Sequence, residues 1–147
     1  MRFPSTAHKV AWNTSEKANE NIQEKTLQHL QQAVEHEDLS GALRRLGREW
    51  DTERVLETNA ACLLLLSLGL GVGRDRRWLW LTGGVAAFLL QHALQGWCPP
   101  LPVIRTLGVR TAGEIGVERA ALKALRGDFA GVGRDPGAAF CAAKRGG

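Results

Sequence analysis

The residues best suited to chemistry in this chain fall in one short run, Gln91-His92-Ala93-Leu94-Gln95-Gly96-Trp97-Cys98-Pro99-Pro100. A thiol reacts as its thiolate, and a neighbouring imidazole favours that form. His92 stands six residues before Cys98, a spacing that by itself sets no contact between them. Gln91, His92 and Gln95 form a polar patch at the end of an otherwise apolar stretch, where buried polar groups find hydrogen-bond partners or mark a functional site. The paired prolines remove backbone donors and stop a helix, which places Cys98 at a corner as a candidate reactive thiol. Cys62 lies among leucines and reads as a packing residue, while Cys141 lies in a Gly/Ala-rich tail. Three cysteines at these spacings make neither a disulfide framework nor a paired metal motif.

Other candidate chemistry is thin. His29 and His36 are seven residues apart and have no cysteine or defined carboxylate partner, so they read as solvated surface residues rather than ligands. Gly69-Leu70-Gly71-Val72-Gly73 has the glycine spacing of a dinucleotide loop, but Arg74-Asp75-Arg76-Arg77 and a Trp-rich stretch follow it instead of a βαβ unit. The carboxylates alternate with Lys and Arg at helical spacings, as on solvated helix faces. No nucleophile, base and orienting group can be assembled. The reading therefore leans away from an enzyme and assigns no catalytic residue, cofactor or metal.

The elements that position the polar run are two apolar stretches, 58–73 and 78–97, separated only by the basic turn Arg74-Asp75-Arg76-Arg77. Trp78 and Trp80 open the second stretch and Trp97 closes it, as expected of anchors at the two faces of a bilayer. As a helix this stretch covers roughly 28 Å, close to the ~30 Å hydrocarbon core. The first stretch is shorter and must borrow Val55 and Leu56, with Arg54 and Glu57 reaching to the interface. Together they read as a transmembrane hairpin within residues 51–110, ending at the Cys-Pro-Pro corner. Ser67/Gly71, Gly69/Gly73 and Gly83/Ala87 are small-xxx-small pairs that let helix backbones approach in lipid, within the hairpin or between copies. The competing expectation is a soluble helical carrier with these helices lining its cavity, for which the rest of the chain offers only narrow apolar stripes.

Residues 1–50 read as a cytoplasmic helical region. Ile22, Leu27, Leu30 and Val34 stripe a polar helix over 15–36, and Leu39, Leu43, Leu46 and Trp50 stripe a shorter one. Asp51 or Thr52 is expected to cap the first spanning helix. Residues 101–110 read as an extended or irregular connector. Thr111 and Glu114 have capping-box spacing, and Ile115, Leu122, Leu125 and Phe129 give segment 111–129 an apolar face, with a helix over about 112–126. The tail, 130–147, loses periodicity and is expected to be mobile. The fold class is all-α: a two-helix transmembrane hairpin with flanking cytoplasmic amphipathic helices.

The net charge is +4 over 147 residues, with the first forty residues net negative and the turn, the post-hairpin segment and the tail positive. An anionic lipid bilayer suits that distribution. Nucleic acid does not, because no basic stripe with interleaved aromatics is present. Met1-Arg2-Phe3-Pro4-Ser5-Thr6 is followed by polar residues rather than an apolar leader core. Arg44, Arg45, Arg48, Arg54, Arg105 and Arg110 on the flanks outnumber Arg74, Arg76 and Arg77 in the turn, which favours both termini in the cytoplasm.

Four stretches carry a resemblance: Glu49-Trp50-Asp51-Thr52-Glu53-Arg54-Val55-Leu56-Glu57, Leu90-Gln91-His92-Ala93-Leu94-Gln95-Gly96-Trp97-Cys98-Pro99-Pro100-Leu101-Pro102, Leu107-Gly108-Val109-Arg110-Thr111, and Ala121-Leu122-Lys123-Ala124-Leu125-Arg126-Gly127-Asp128-Phe129. Over about residues 45 to 129 the chain resembles a family of small bacterial inner-membrane proteins related to the transmembrane domain of the membrane rhodanese YgaP. Its most telling element is the Cys-Pro at the exit of the second span followed by Leu-Gly-Val. The resemblance implies a bacterial inner-membrane location and a hairpin that self-associates or joins a membrane complex. Sulfur chemistry in that rhodanese belongs to an attached domain for which this chain has no room, so sulfurtransferase activity is not implied. Two roles follow: a non-enzymatic hairpin anchor or interaction module, or a thiol-dependent membrane protein in sulfur or redox handling through Cys98.

Overall fold

The computed structural model describes residue 10 and residues 13–95 and 98–145. Seven helices and no strand occur among the described residues: α1 (Glu16–Glu35), α2 (Leu39–Leu46), α3 (Thr52–Gly73), α4 (Trp78–Gln95), α5 (Leu101–Thr106), α6 (Ala112–Arg126) and α7 (Pro136–Lys144). The protein is all-helical. Its chain divides into two compact units, one of residues 1–19 and 50–112, the other of residues 20–49 and 113–147. The two units alternate along the chain, each built from two separate segments.

In the first unit, α3 starts where Asp51, in an extended conformation, accepts the Arg54 N–H at 2.7 Å. That satisfies one of the orphan donors of the first turn, and Glu53 complements the helix dipole. Thr52 is fully buried and fixes the start further: its N–H donates to the Arg110 carbonyl at 2.8 Å and its hydroxyl to the same oxygen at 3.0 Å. α3 runs unbroken through Val55 and Leu56 for 22 residues. α4 is shorter at 18 residues, and among the described residues α3 alone is long and apolar enough to cross a membrane. Trp97 lies outside the described residues.

α3 and α4 pack along each other, joined by a tight turn in which Asp75 accepts the Arg77 N–H at 2.9 Å. Beyond α4, Val10, Leu56, Cys98, Leu101 and Ile104 form the apolar core of the unit, with α5 packed on α3. The connector is thus helical where an irregular run was expected. Pro100 and Pro102 sit at the cap and first turn of α5, positions whose N–H groups need no intrahelical partner. Gly108, at φ 84°, then reverses the chain in a conformation glycine adopts without strain.

In the second unit, Ala33, Leu43, Leu46, Ile115 and Leu122 form the core, flanked by Leu30, Leu39 and Ala42. α2 buries Gly41, Leu43 and Leu46 and is capped by Asp38, whose Oδ1 accepts the Gly41 N–H at 2.8 Å. The buried face of α1 is Ala18, Ile22 and Ala33, whereas Leu27 and Val34 are exposed. Stripe reading by large apolar residues alone misses a face completed by alanine. Leu125 and Phe129 are likewise outside the core, and Trp50 lies beyond the end of α2 with the Arg54 guanidinium 4.9 Å above its ring. The expected mobile tail instead contains α7, with Asp135 as its cap, accepting the Gly137 N–H at 2.9 Å, and Pro136 at its first turn. Buried Lys123 donates to the Ala143 carbonyl and ties α7 to α6.

Candidate functional site

The helix pair brings the small residues into two groups. Ser67, 1% exposed, lies inside the pair, where its hydroxyl and that of Thr82 are 2.7 Å apart. Gly71 also faces the partner helix: a Cβ built there would meet Leu79 Cδ2 at 2.6 Å. Gly69, Gly73 and Gly83 face open space, with nothing within 4 Å of such a Cβ, and Ala87 is exposed. Ser67 and Gly71 therefore serve packing inside the pair, and Gly69, Gly73 and Gly83 do not.

This sorting makes a direct expectation. Gly71→Leu forces Leu79 and the turn apart and costs about 1–3 kcal/mol by overpacking, whereas Gly83→Leu leaves the fold of one chain unchanged. Thermal unfolding of the two variants in the same detergent measures the difference. Equal melting temperatures would show that the close approach at Gly71 carries no energy.

The outer surface of the pair is apolar. Val72 is 81% exposed and Trp80 86%, and Leu63, Leu65, Leu66, Leu68, Leu79, Leu81, Phe88, Leu90 and Leu94 are exposed with them. Trp78 shares this exposure at the start of α4. α4 buries no residue among those described.

At the far end of the pair, the polar residues do not converge. His92 lines a cavity of about 290 Å³ with Glu53, Leu56, Glu57, Leu89 and Ala93. Its Nδ1 is buried without a hydrogen-bond partner among the described residues. Gln91 is half-buried and Gln95 exposed, and neither lines that cavity. Cys98 lines a separate apolar cavity of about 450 Å³, walled by α3, α4, the two prolines and α5, in which His92 takes no part.

Cys98 is 2% exposed, not an exposed surface thiol. Burial pushes its thiol above the usual range, with the Leu101 backbone N–H opposing the shift. A raised value leaves less thiolate at neutral pH, the reverse of an activated cysteine. Cys62 and Cys141 are exposed, and all three cysteines are free. No group of three His, Cys, Asp or Glu side chains able to hold a metal ion occurs among the described residues. His29 and His36 are not drawn together as ligands; His29 Nδ1 lies 3.7 Å from the carboxylate of buried Glu118.

Two features escaped the sequence reading. Arg105, 1% exposed, donates from Nε to Thr14 Oγ1 at 3.2 Å, from one terminal nitrogen to the Val109 carbonyl at 3.1 Å and from the other to Asn19 Oδ1 at 2.8 Å. These three acceptors are a hydroxyl, an amide and a main-chain carbonyl, and two of them lie more than eighty residues away in sequence. The second is the Ser67–Thr82 hydroxyl contact inside the helix pair, because Thr82 carries no signal in the sequence that sets it apart. No family model, curated protein or solved structure matches the chain.

Proposed function

We propose that this is an integral membrane protein in which α3 and α4 form a two-helix transmembrane hairpin, acting as an anchor and assembly module for the flanking helices. The observation that carries this reading is the exposed apolar outer surface of the helix pair. The pair's hydroxyls meet inside, at Ser67 and Thr82, while leucines, valine and tryptophan face outward. In water such a surface is an aggregation liability far beyond ordinary scattered apolar exposure. In lipid it is the expected arrangement, with hydroxyls bonded within or between helices because hydrocarbon offers no partner. The resemblance to inner-membrane proteins related to the YgaP transmembrane domain supports a bacterial inner membrane as the location. The arginine excess on the flanks supports cytoplasmic termini, and open Gly69, Gly73 and Gly83 leave a surface for a homo-oligomer or a membrane-complex partner.

Alkaline carbonate extraction tests the anchor: the full chain is expected to stay in the membrane pellet and to need detergent for release. Monodisperse protein in plain buffer overturns it. That same outcome would favour a soluble carrier, a reading supported by the 450 Å³ apolar cavity between α3, α4 and α5.

A further inference from the structure

α2 is amphipathic, but its apolar edge is already used. Leu43 and Leu46 lie in the core of the second unit, so the helix has no greasy face left to sink into a membrane. Its other side presents Arg44 and Arg45, and the turn that follows presents Arg48, all exposed, around a notch of about 170 Å³ that also includes Asp38 and Gly41.

Asp38 does not neutralise this notch. Its Oδ1 caps the helix at Gly41, and its Oδ2 pairs with Arg45 at 3.1 Å. The Arg44 and Arg48 guanidinium groups make no hydrogen bond or ion pair among the described residues. One carboxylate against three guanidinium groups leaves a local excess of positive charge, and guanidinium forks suit phosphate oxygens. Three residues separate Arg48 from Thr52, the start of α3. That length of chain spans no more than about 14 Å, and basic residues so close in sequence to a membrane span feel an anionic leaflet.

We propose that the exposed arginine face of α2 binds the phosphate headgroups of anionic phospholipid. The contact is electrostatic and peripheral, with the apolar edge of the helix held in the protein core throughout. This rests on the membrane-anchor reading, and it adds a preference for lipid charge that an anchor alone does not require.

The test uses the full chain in a neutral detergent, titrated with short-chain phosphatidylglycerol, with phosphatidylcholine of the same chain length, and with inorganic phosphate. Phosphatidylglycerol is expected to bind at least tenfold more tightly than phosphatidylcholine, with the difference shrinking as salt rises. Arg44→Gln and Arg48→Gln each lower that preference roughly fivefold. Both leave the Asp38–Arg45 pair and the helix cap in place, so helix content by circular dichroism should be unchanged. Equal binding of the two lipids, or an unchanged preference in the double variant, overturns the proposal. Inorganic phosphate binding as tightly as the anionic lipid also overturns it, in favour of a free-anion site; an acidic polypeptide or nucleic acid displacing the lipid at equimolar amounts does the same. The titration is done in micelles, so its failure is separate from failure of carbonate extraction, which bears on the hairpin alone.

Discussion

Arg105→Met is expected to destabilise the first unit by about 3–5 kcal/mol. Methionine fills much of the volume, so the loss is not principally a cavity. It comes from leaving the Thr14 hydroxyl, the Asn19 amide oxygen and the Val109 carbonyl short of the donors that Arg105 supplies. Each is a buried or part-buried polar group, and each unmade hydrogen bond costs on the order of 1–3 kcal/mol. Arg105→Lys is expected to recover little, because an ammonium cannot place three donors in the plane that these acceptors define. The measurement is thermal unfolding of the detergent-solubilised chain with amide exchange followed at 14–19 and 108–110. Exchange at those segments that stays as slow as in the parent would show that the network is held by something other than the guanidinium.

Cys98 is expected to resist an aqueous maleimide by on the order of a hundredfold or more relative to Cys141 in the folded protein, since reaction must await local opening. Single-cysteine variants retaining Cys98 or Cys141 make the comparison, with denaturant as the control that equalises them. The pH dependence has a definite sign. Burial raises the folded thiol above its unfolded value, so the fold loses nothing below the unfolded value of ~8.5 and is progressively destabilised as pH climbs through and above it. Labelling of Cys98 as fast as that of Cys141 at neutral pH would place the thiol in solvent and restore the redox reading. Slow labelling leaves Cys98 as what its neighbours Val10, Leu56, Leu101 and Ile104 make it, an apolar core residue.

The helical character of the chain was legible because its strongest signals are local. Asp51 announces the start of α3 by its side chain, and Leu39, Leu43 and Leu46 mark α2 by period alone. The errors have equally local causes. Prolines at 99, 100 and 102 read as helix breakers, yet at a helix start they are compatible with α5. Asp135-Pro136 is the same start signal and was overshadowed by the glycines before it. α1 turned its alanines inward rather than Leu27 and Val34, because close packing around Ala33 decides the face more than residue size does. The candidate thiol was found by type and corner position, but its burial depends on Val10 and Leu56, far away in sequence. Arg105 depends on Asn19 and Thr14 in the same way, so no window of sequence contains the information that makes it structural.

The interleaving of the two units has a consequence for how the protein is made. Leu43 and Leu46 share their core with Ala33, which precedes them, and with Ile115 and Leu122, which follow only after residues 50–112 have been synthesised. At ~5–20 residues per second, the ribosome takes roughly 4 to 15 s to deliver Leu122 after Leu46. Throughout that interval the apolar edge of α2 has only Ala33 and Leu30 of α1 to pack on. Vectorial synthesis thus opens a window in which α3 and α4 pair before the core of the second unit is complete, so the order of assembly is imposed by chain topology.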